Sequence, residues 1–110
     1  MKLKSLFLAG VLALSGLSIA NAKSYHFTLE NAAKAGNVLL KPGEYKVSVE
    51  GANAVFTNVR TDQILSTPVK VENTSKKHDN TAVESTVQGG TEHIRAIELG
   101  GSKETLDFGD

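Results

Sequence analysis

The chain contains no cysteine and no tryptophan, and only two prolines. Without cysteine there can be no disulfide framework, no thiolate nucleophile and no lipid-modified bacterial N-terminus. Aromatic residues are sparse, at four Phe and two Tyr, so the flat platforms that sugar recognition usually exploits are nearly missing. Neither sign of charge dominates, with 12 Lys and Arg against 12 Asp and Glu. That balance speaks against a nucleic-acid partner, because neutralising a phosphate backbone requires a basic excess or stripe. Helical periodicity is not sustained anywhere, and no internal repeat stands out.

What is present begins with an address. Lys2 and Lys4 form a short basic start, Leu6 to Ile19 is apolar apart from small residues, and Ala20-Asn21-Ala22 has the small-x-small form of a signal-peptidase site. A secretory leader over residues 1–22, cleaved after Ala22, is therefore predicted, which places the protein in the periplasm or outside the cell. The apolar run is shorter than the roughly 20 residues a membrane span needs, so no membrane span is expected after cleavage. Residues 23–110 remain as a single small domain, with ten cations against twelve anions once Lys2 and Lys4 are gone. Its stability must come from sheet pairing and packing, assisted where needed by self-association.

The stretch from Val38 to Phe56 organises the rest. Pro42-Gly43 and Gly51 are turn signals, and between them Tyr45, Val47 and Val49 alternate with Glu44, Lys46, Ser48 and Glu50, the period of a half-buried strand. Ahead of it Tyr25 to Glu30 alternates in the same way, and the Ala-rich segment Asn31 to Asn37 reads as a loop. After it come Ala54 to Val59, with Val55 inward and Phe56 opposite. Gln63 to Glu72 is interrupted by Pro68, which makes it an edge strand or two short strands meeting at a bend. Asn73 to Asn80 is a polar, exposed loop. Thr81 to Gln88 alternates again, Gly89-Gly90 turns the chain, and in Thr91 to Leu99 the apolar phase shifts between Ile94 and Ile97 as an inserted bulge residue would require. Gly100-Gly101 then leads into Glu104 to Phe108.

Seven or eight short strands with regular turns predict an all-β fold, a small antiparallel β-sandwich or partly open barrel. The predicted inward set includes Tyr25, Phe27, Leu29, Leu40, Tyr45, Val47, Val49, Val55, Val69, Val71, Val83, Val87, Ile94, Ile97, Leu99, Leu106 and Phe108. The residues Leu40, Pro42, Gly43, Tyr45 and Val47 resemble the Leu-x-Pro-Gly-x-Tyr-x-Val hairpin of carboxypeptidase-regulatory-like and PEGA-like modules, and of small secreted proteins of acidobacteria and similar soil bacteria. Those secreted proteins also carry a late strand like Ile94 to Gly101. The resemblance implies a non-catalytic β-rich module and carries over no catalytic residues.

Candidate chemistry is thin. His26, His78 and His93 have none of the close spacings that put two metal ligands on one face. Ser75, His78 and Asp79 form a trio within a polar loop, where a solvated surface is the simpler reading, with His78 in a mobile loop and His26 and His93 on solvent-facing strand positions. Glu92, Glu98, Glu104 and Asp107 alternate with apolar residues as the wet face of a sheet does. No catalytic residue, metal site or cofactor is implied. The expectation is an exported structural or protein-interaction module that pairs with another protein or with itself through an exposed strand edge, the Tyr25 strand or the Pro68 segment. The alternative is a small module binding a carbohydrate, a peptide or a metal. The surface singled out for contact comprises Phe56, Lys76, Lys77 and His78.

Overall fold

Pro42 lies between two strands, β3 (Val38–Leu40) and β4 (Gly43–Glu50), and Gly43 adopts φ 150°, a conformation that side-chain-bearing residues rarely adopt. This turn connects the two layers of the protein. The computed structural model describes residues 23–109, and the predicted leader lies outside them. Among the described residues there are ten strands and no helix: besides β3 and β4 they are β1 (Tyr25–Leu29), β2 (Ala33–Ala35), β5 (Asn53–Asn58), β6 (Ile64–Pro68), β7 (Lys70–Asn73), β8 (Ala82–Gln88), β9 (Thr91–Glu98) and β10 (Glu104–Asp107).

They form an all-β, sandwich-like pair of sheets that does not close into a barrel. The first sheet has the order β1-β4-β5-β6 and is antiparallel throughout. The second is built on β9. β8 pairs with β9 from Ala82 opposite Glu98 to Gln88 opposite Thr91, so one edge of β9 is fully used. The other edge is divided: β2 runs parallel to Glu92–Ile94, and β10 runs antiparallel to Ala96–Glu98. β3 extends this sheet beyond β2, and β7 extends it beyond β10.

The register change in the β8–β9 ladder falls between Glu84 and Ser85, which pair with Ala96 and Ile94 and leave Arg95 as the extra residue. The inserted residue brings Ile94 and Ile97, three apart, both into the core. Pro68 is the other predicted discontinuity. It closes β6 at the edge of the first sheet, and two residues later β7 begins in the second, so the chain changes layers where proline cannot extend a ladder.

The core joins Phe27, Leu29, Tyr45, Val47, Ala54 and Phe56 of the first sheet to Ala33, Ala35, Leu40, Ile94, Ile97 and Leu106 of the second, with Leu99 just beyond β9. Phe56 was expected outside, as a contact residue, and instead is fully buried. The reason is pairing: Phe56 lies opposite Val47 and takes the inward face of β4, whereas Val55 lies opposite Ser48 and is only half-buried. The Phe56 ring meets Phe27 edge-on at 6.0 Å and Phe108 at 5.9 Å, and Phe27 in turn stacks on Tyr45 at 5.8 Å. Val71 and Val87, also expected inside, are 37% and 71% exposed because they sit on the outermost strands β7 and β8.

The segment read as a loop holds β2. Ala33 and Ala35 are fully buried and Lys34 points out, an alternation carried by small side chains with weak strand propensity of their own. Small size matters at the next residue as well. A Cβ on Gly36, at φ 55°, would collide with Thr67 Oγ1, the same atom that accepts a 2.9 Å hydrogen bond from the Asn37 N–H. Thr67 is 1% exposed and pins the β2–β3 turn to β6 across the two layers. Replacing it with valine keeps the shape but strips the Asn37 N–H of its acceptor. Chemical denaturation should show Thr67→Val to be less stable by about 1–3 kcal/mol.

Candidate functional site

The polar loop between β7 and β8 is held far more firmly than its composition suggests. It docks on the β9–β10 turn through Thr74 N–H to Lys103 O at 2.8 Å, His78 N–H to Ser102 O at 2.8 Å and Gly101 N–H to His78 O at 2.8 Å. At its far end Thr81 Oγ1 accepts from the Gly100 N–H at 3.0 Å. The His78 side chain, expected in mobile, solvated chain, is only 14% exposed. Its Nε2 lies 3.0 Å from Thr105 Oγ1 and its Nδ1 lies 3.9 Å from Glu98 Oε1. Both ring nitrogens therefore face protein groups, an arrangement that orients the ring and ties the loop to β9 and β10.

Lys76 and Lys77 stand exposed on this loop beside Ser75 and Asp79, while Phe56 is buried in the core away from the surface. The four residues singled out for contact thus do not form one surface: three share the loop, and the fourth belongs to the aromatic core. Among the described residues no three His, Asp or Glu side chains converge as a metal site would need. Among the described residues no helix is long and apolar enough to cross a membrane.

A concave feature lies at the opposite turn region. A cleft of about 350 Å³ opens between the Lys41–Tyr45 turn and the segment from Asn58 to Gln63, at the small end of the range for ligand pockets. Its walls are internally bonded. Tyr45 donates its hydroxyl to Lys41 O at 2.7 Å, and Asn58 Oδ1 accepts from the N–H groups of Arg60 and Thr61 at 2.9 and 3.0 Å. Asp62 holds φ 64°, an unusual backbone for a residue other than glycine. Lys41 and Arg60 supply positive charge, and Glu44 and Gln63 supply acceptors. Removing the buried hydroxyl in Tyr45→Phe should lower stability by about 1 kcal/mol in a urea titration, through loss of one hydrogen bond.

The most distinctive geometry belongs to the sheet edges. Among the described residues, β1 and β6 border the first sheet and β3, β7 and β8 border the second. β3 is three residues long; β6 ends at Pro68; β7 starts just after it and carries the exposed Lys70. Short length, proline and lysine are the usual means of blunting an edge. β1 has five residues with neither Lys nor Pro, and β8 has seven, again with neither. These two borders lie on the same side of the sandwich, where Thr28, Leu29 and Glu30 share a shallow groove with Val83, Ser85 and Glu92. The Ser85 hydroxyl donates to Glu92 Oε2 at 2.7 Å within that groove.

No family model, curated protein or solved structure matches the chain. Geometry is therefore the basis for a functional reading. The sequence points to the Tyr25 strand and the Pro68 segment as edges, and β1, β6 and β7 do border their sheets; it does not point to β8, because alternation identifies a strand without saying whether it ends up central or outermost. The available signal was the thin apolar content of Ala82–Gln88, with valines only at Val83 and Val87.

Proposed function

We propose that the protein is an exported, non-catalytic interaction module that binds other polypeptide by strand addition to its open sheet edges. The observation that carries this reading is the seven-residue free border of β8, reinforced by β1 on the same side. An unprotected edge presents a row of backbone donors and acceptors, and a partner strand that satisfies them gains affinity from main-chain hydrogen bonds with side-chain pockets adding selectivity. The basic start, apolar run and Ala20-Asn21-Ala22 site of the leader support export. The motif that carries the resemblance to secreted regulatory-like modules is the β3–β4 turn, whose two strands lie in different layers and do not pair.

Two measurements test the proposal. The mass of the protein recovered from outside the cytoplasm should match a chain beginning at Lys23, and an uncleaved cytoplasmic product would overturn export. Amide exchange on β8 should slow when a partner strand binds, and placing lysine at Ser85 should abolish that protection while leaving the β4–β5 amides unchanged.

The cleft beside Pro42 favours one second reading, a site for a small anionic ligand such as an acidic sugar, held by Lys41 and Arg60. In a thermal-shift screen with acidic saccharides, a specific ligand at 100 times its Kd should stabilise the fold by about 2.7 kcal/mol. Lys41→Ala with Arg60→Ala should remove the shift.

A further inference from the structure

We infer that the strand added to β8 is β8 of a second copy of this chain, in an antiparallel pair with its two-fold axis at Ser85. The inference rests on the edge-pairing reading above and names its partner. Its ground is the sequence of the border. Val83-Glu84-Ser85-Thr86-Val87 reads apolar, polar, polar, polar, apolar in either direction. Antiparallel pairing about Ser85 sets Val83 opposite Val87, Glu84 opposite Thr86 and Ser85 opposite itself. A two-fold axis normal to the sheet keeps each side chain on its own face, so all these pairs meet on matching sides.

Three observations agree with that register. Val87 is 71% exposed although it shares the face of the partly buried, core-packed Val83. In the pair each Val87 covers the Val83 of the other copy and loses that exposure. Thr86 Oγ1 is a buried side-chain oxygen with no hydrogen-bond partner among the described residues, an omission that normally costs stability. The carboxylate of Glu84 from the second copy lies opposite Thr86, and rotation about the threonine χ1 gives its hydroxyl an acceptor. Finally, Glu84 is the strand's single charge, and this register sets it against a neutral residue, so no like charges oppose each other directly. Pairing joins two six-stranded sheets edge to edge and brings the β1–β8 grooves of the two copies together.

An interface of one strand pair is small, so the dimer is weak and concentration-dependent. Sedimentation equilibrium over a wide concentration range, on the chain from Lys23 onward, tests it with charge variants that act across copies. Thr86→Glu sets two carboxylates opposite each other twice by symmetry and should raise the dimer Kd about tenfold or more. The double variant Glu84→Lys, Thr86→Glu replaces both repulsions with attractions and should restore or exceed the affinity of the unaltered chain. Its recovery also shows that glutamate at position 86 is compatible with the fold. A dimer indifferent to these changes, or a strict monomer at every concentration, overturns self-pairing. A synthetic peptide of residues 82–88 separates the two levels of inference: a strict monomer whose β8 amides it protects leaves the edge reading standing, and one that it does not protect sinks both.

Discussion

Phe56→Ala is expected to remove most of the protein's stability. The side chain is fully buried where the two sheets meet, with Phe27 against its edge and Phe108 across its face. Truncation loses the transfer free energy of the ring and leaves a cavity that Phe27 on β1 and Phe108 just beyond β10 cannot collapse to fill, at a cost of about 3–5 kcal/mol. A domain of this size holds only about 5–10 kcal/mol in total. With no disulfide to limit the unfolded chain, the loss should appear as a fall in melting temperature of about 15–30 °C. Ile64→Ala provides the contrast. That residue is 63% exposed on β6, and its truncation should change stability by about 0.5 kcal/mol or less. A Phe56→Ala protein that melts within a few degrees of the unaltered chain would mean that the ring faces solvent after all.

The second large effect lies in a pair of adjacent glycines that look interchangeable in the sequence. A Cβ built on Gly100 would stand 2.5 Å from Thr81 N and 2.6 Å from the carbonyl carbon of Asn80, and both are backbone atoms that no side-chain rotation can move away. A Cβ on Gly101 meets nothing within 4 Å, although φ there is 81°. Gly100→Ala must therefore push the His78 loop off the β9–β10 turn and loosen the bonds from Gly101 N–H to His78 O and from His78 N–H to Ser102 O. Overpacking together with these lost bonds should cost about 3 kcal/mol. Gly101→Asn, which tolerates positive φ, should cost well under 1 kcal/mol. Hydrogen exchange separates the mechanism from general destabilisation, because the His78 and Gly101 amides should lose protection ahead of those in β4 and β5.

Features set by local chemistry are legible in the sequence. The Pro42-Gly43 turn, the inward Tyr45 and Val47, the break at Pro68 and the bulge before Ile97 each follow from a dihedral preference or a phase shift within a few residues. Features set by partners are not. Phe56 and Val55 are equally apolar, and only the pairing of Phe56 with Val47 decides which is buried. Ala33 and Ala35 carry no strand signal, because their place depends on β9, far along the chain. Composition marks Asn73 to Asn80 as a solvated loop. Its order comes from backbone groups that reach Lys103, Ser102 and Gly101, and backbone groups are the same in every sequence. The β8 border was invisible for a related reason: periodicity reports which face of a strand is wet, but not whether its flank is occupied.

The divided edge of β9 has a kinetic consequence. β2 and its hairpin mate β3 are made early, yet β9, which flanks β2 on its other side, arrives near the end, and β10, which completes the same flank of β9, arrives later still. The second layer thus cannot assemble in the order of synthesis, and the first hairpin waits with its buried alanines uncovered until the last third of the chain is available. Closing such distant segments is slow, so refolding should take milliseconds to seconds, about the range of domains dominated by non-local pairing. A molecule built this way spends the interval with unmatched strands on offer.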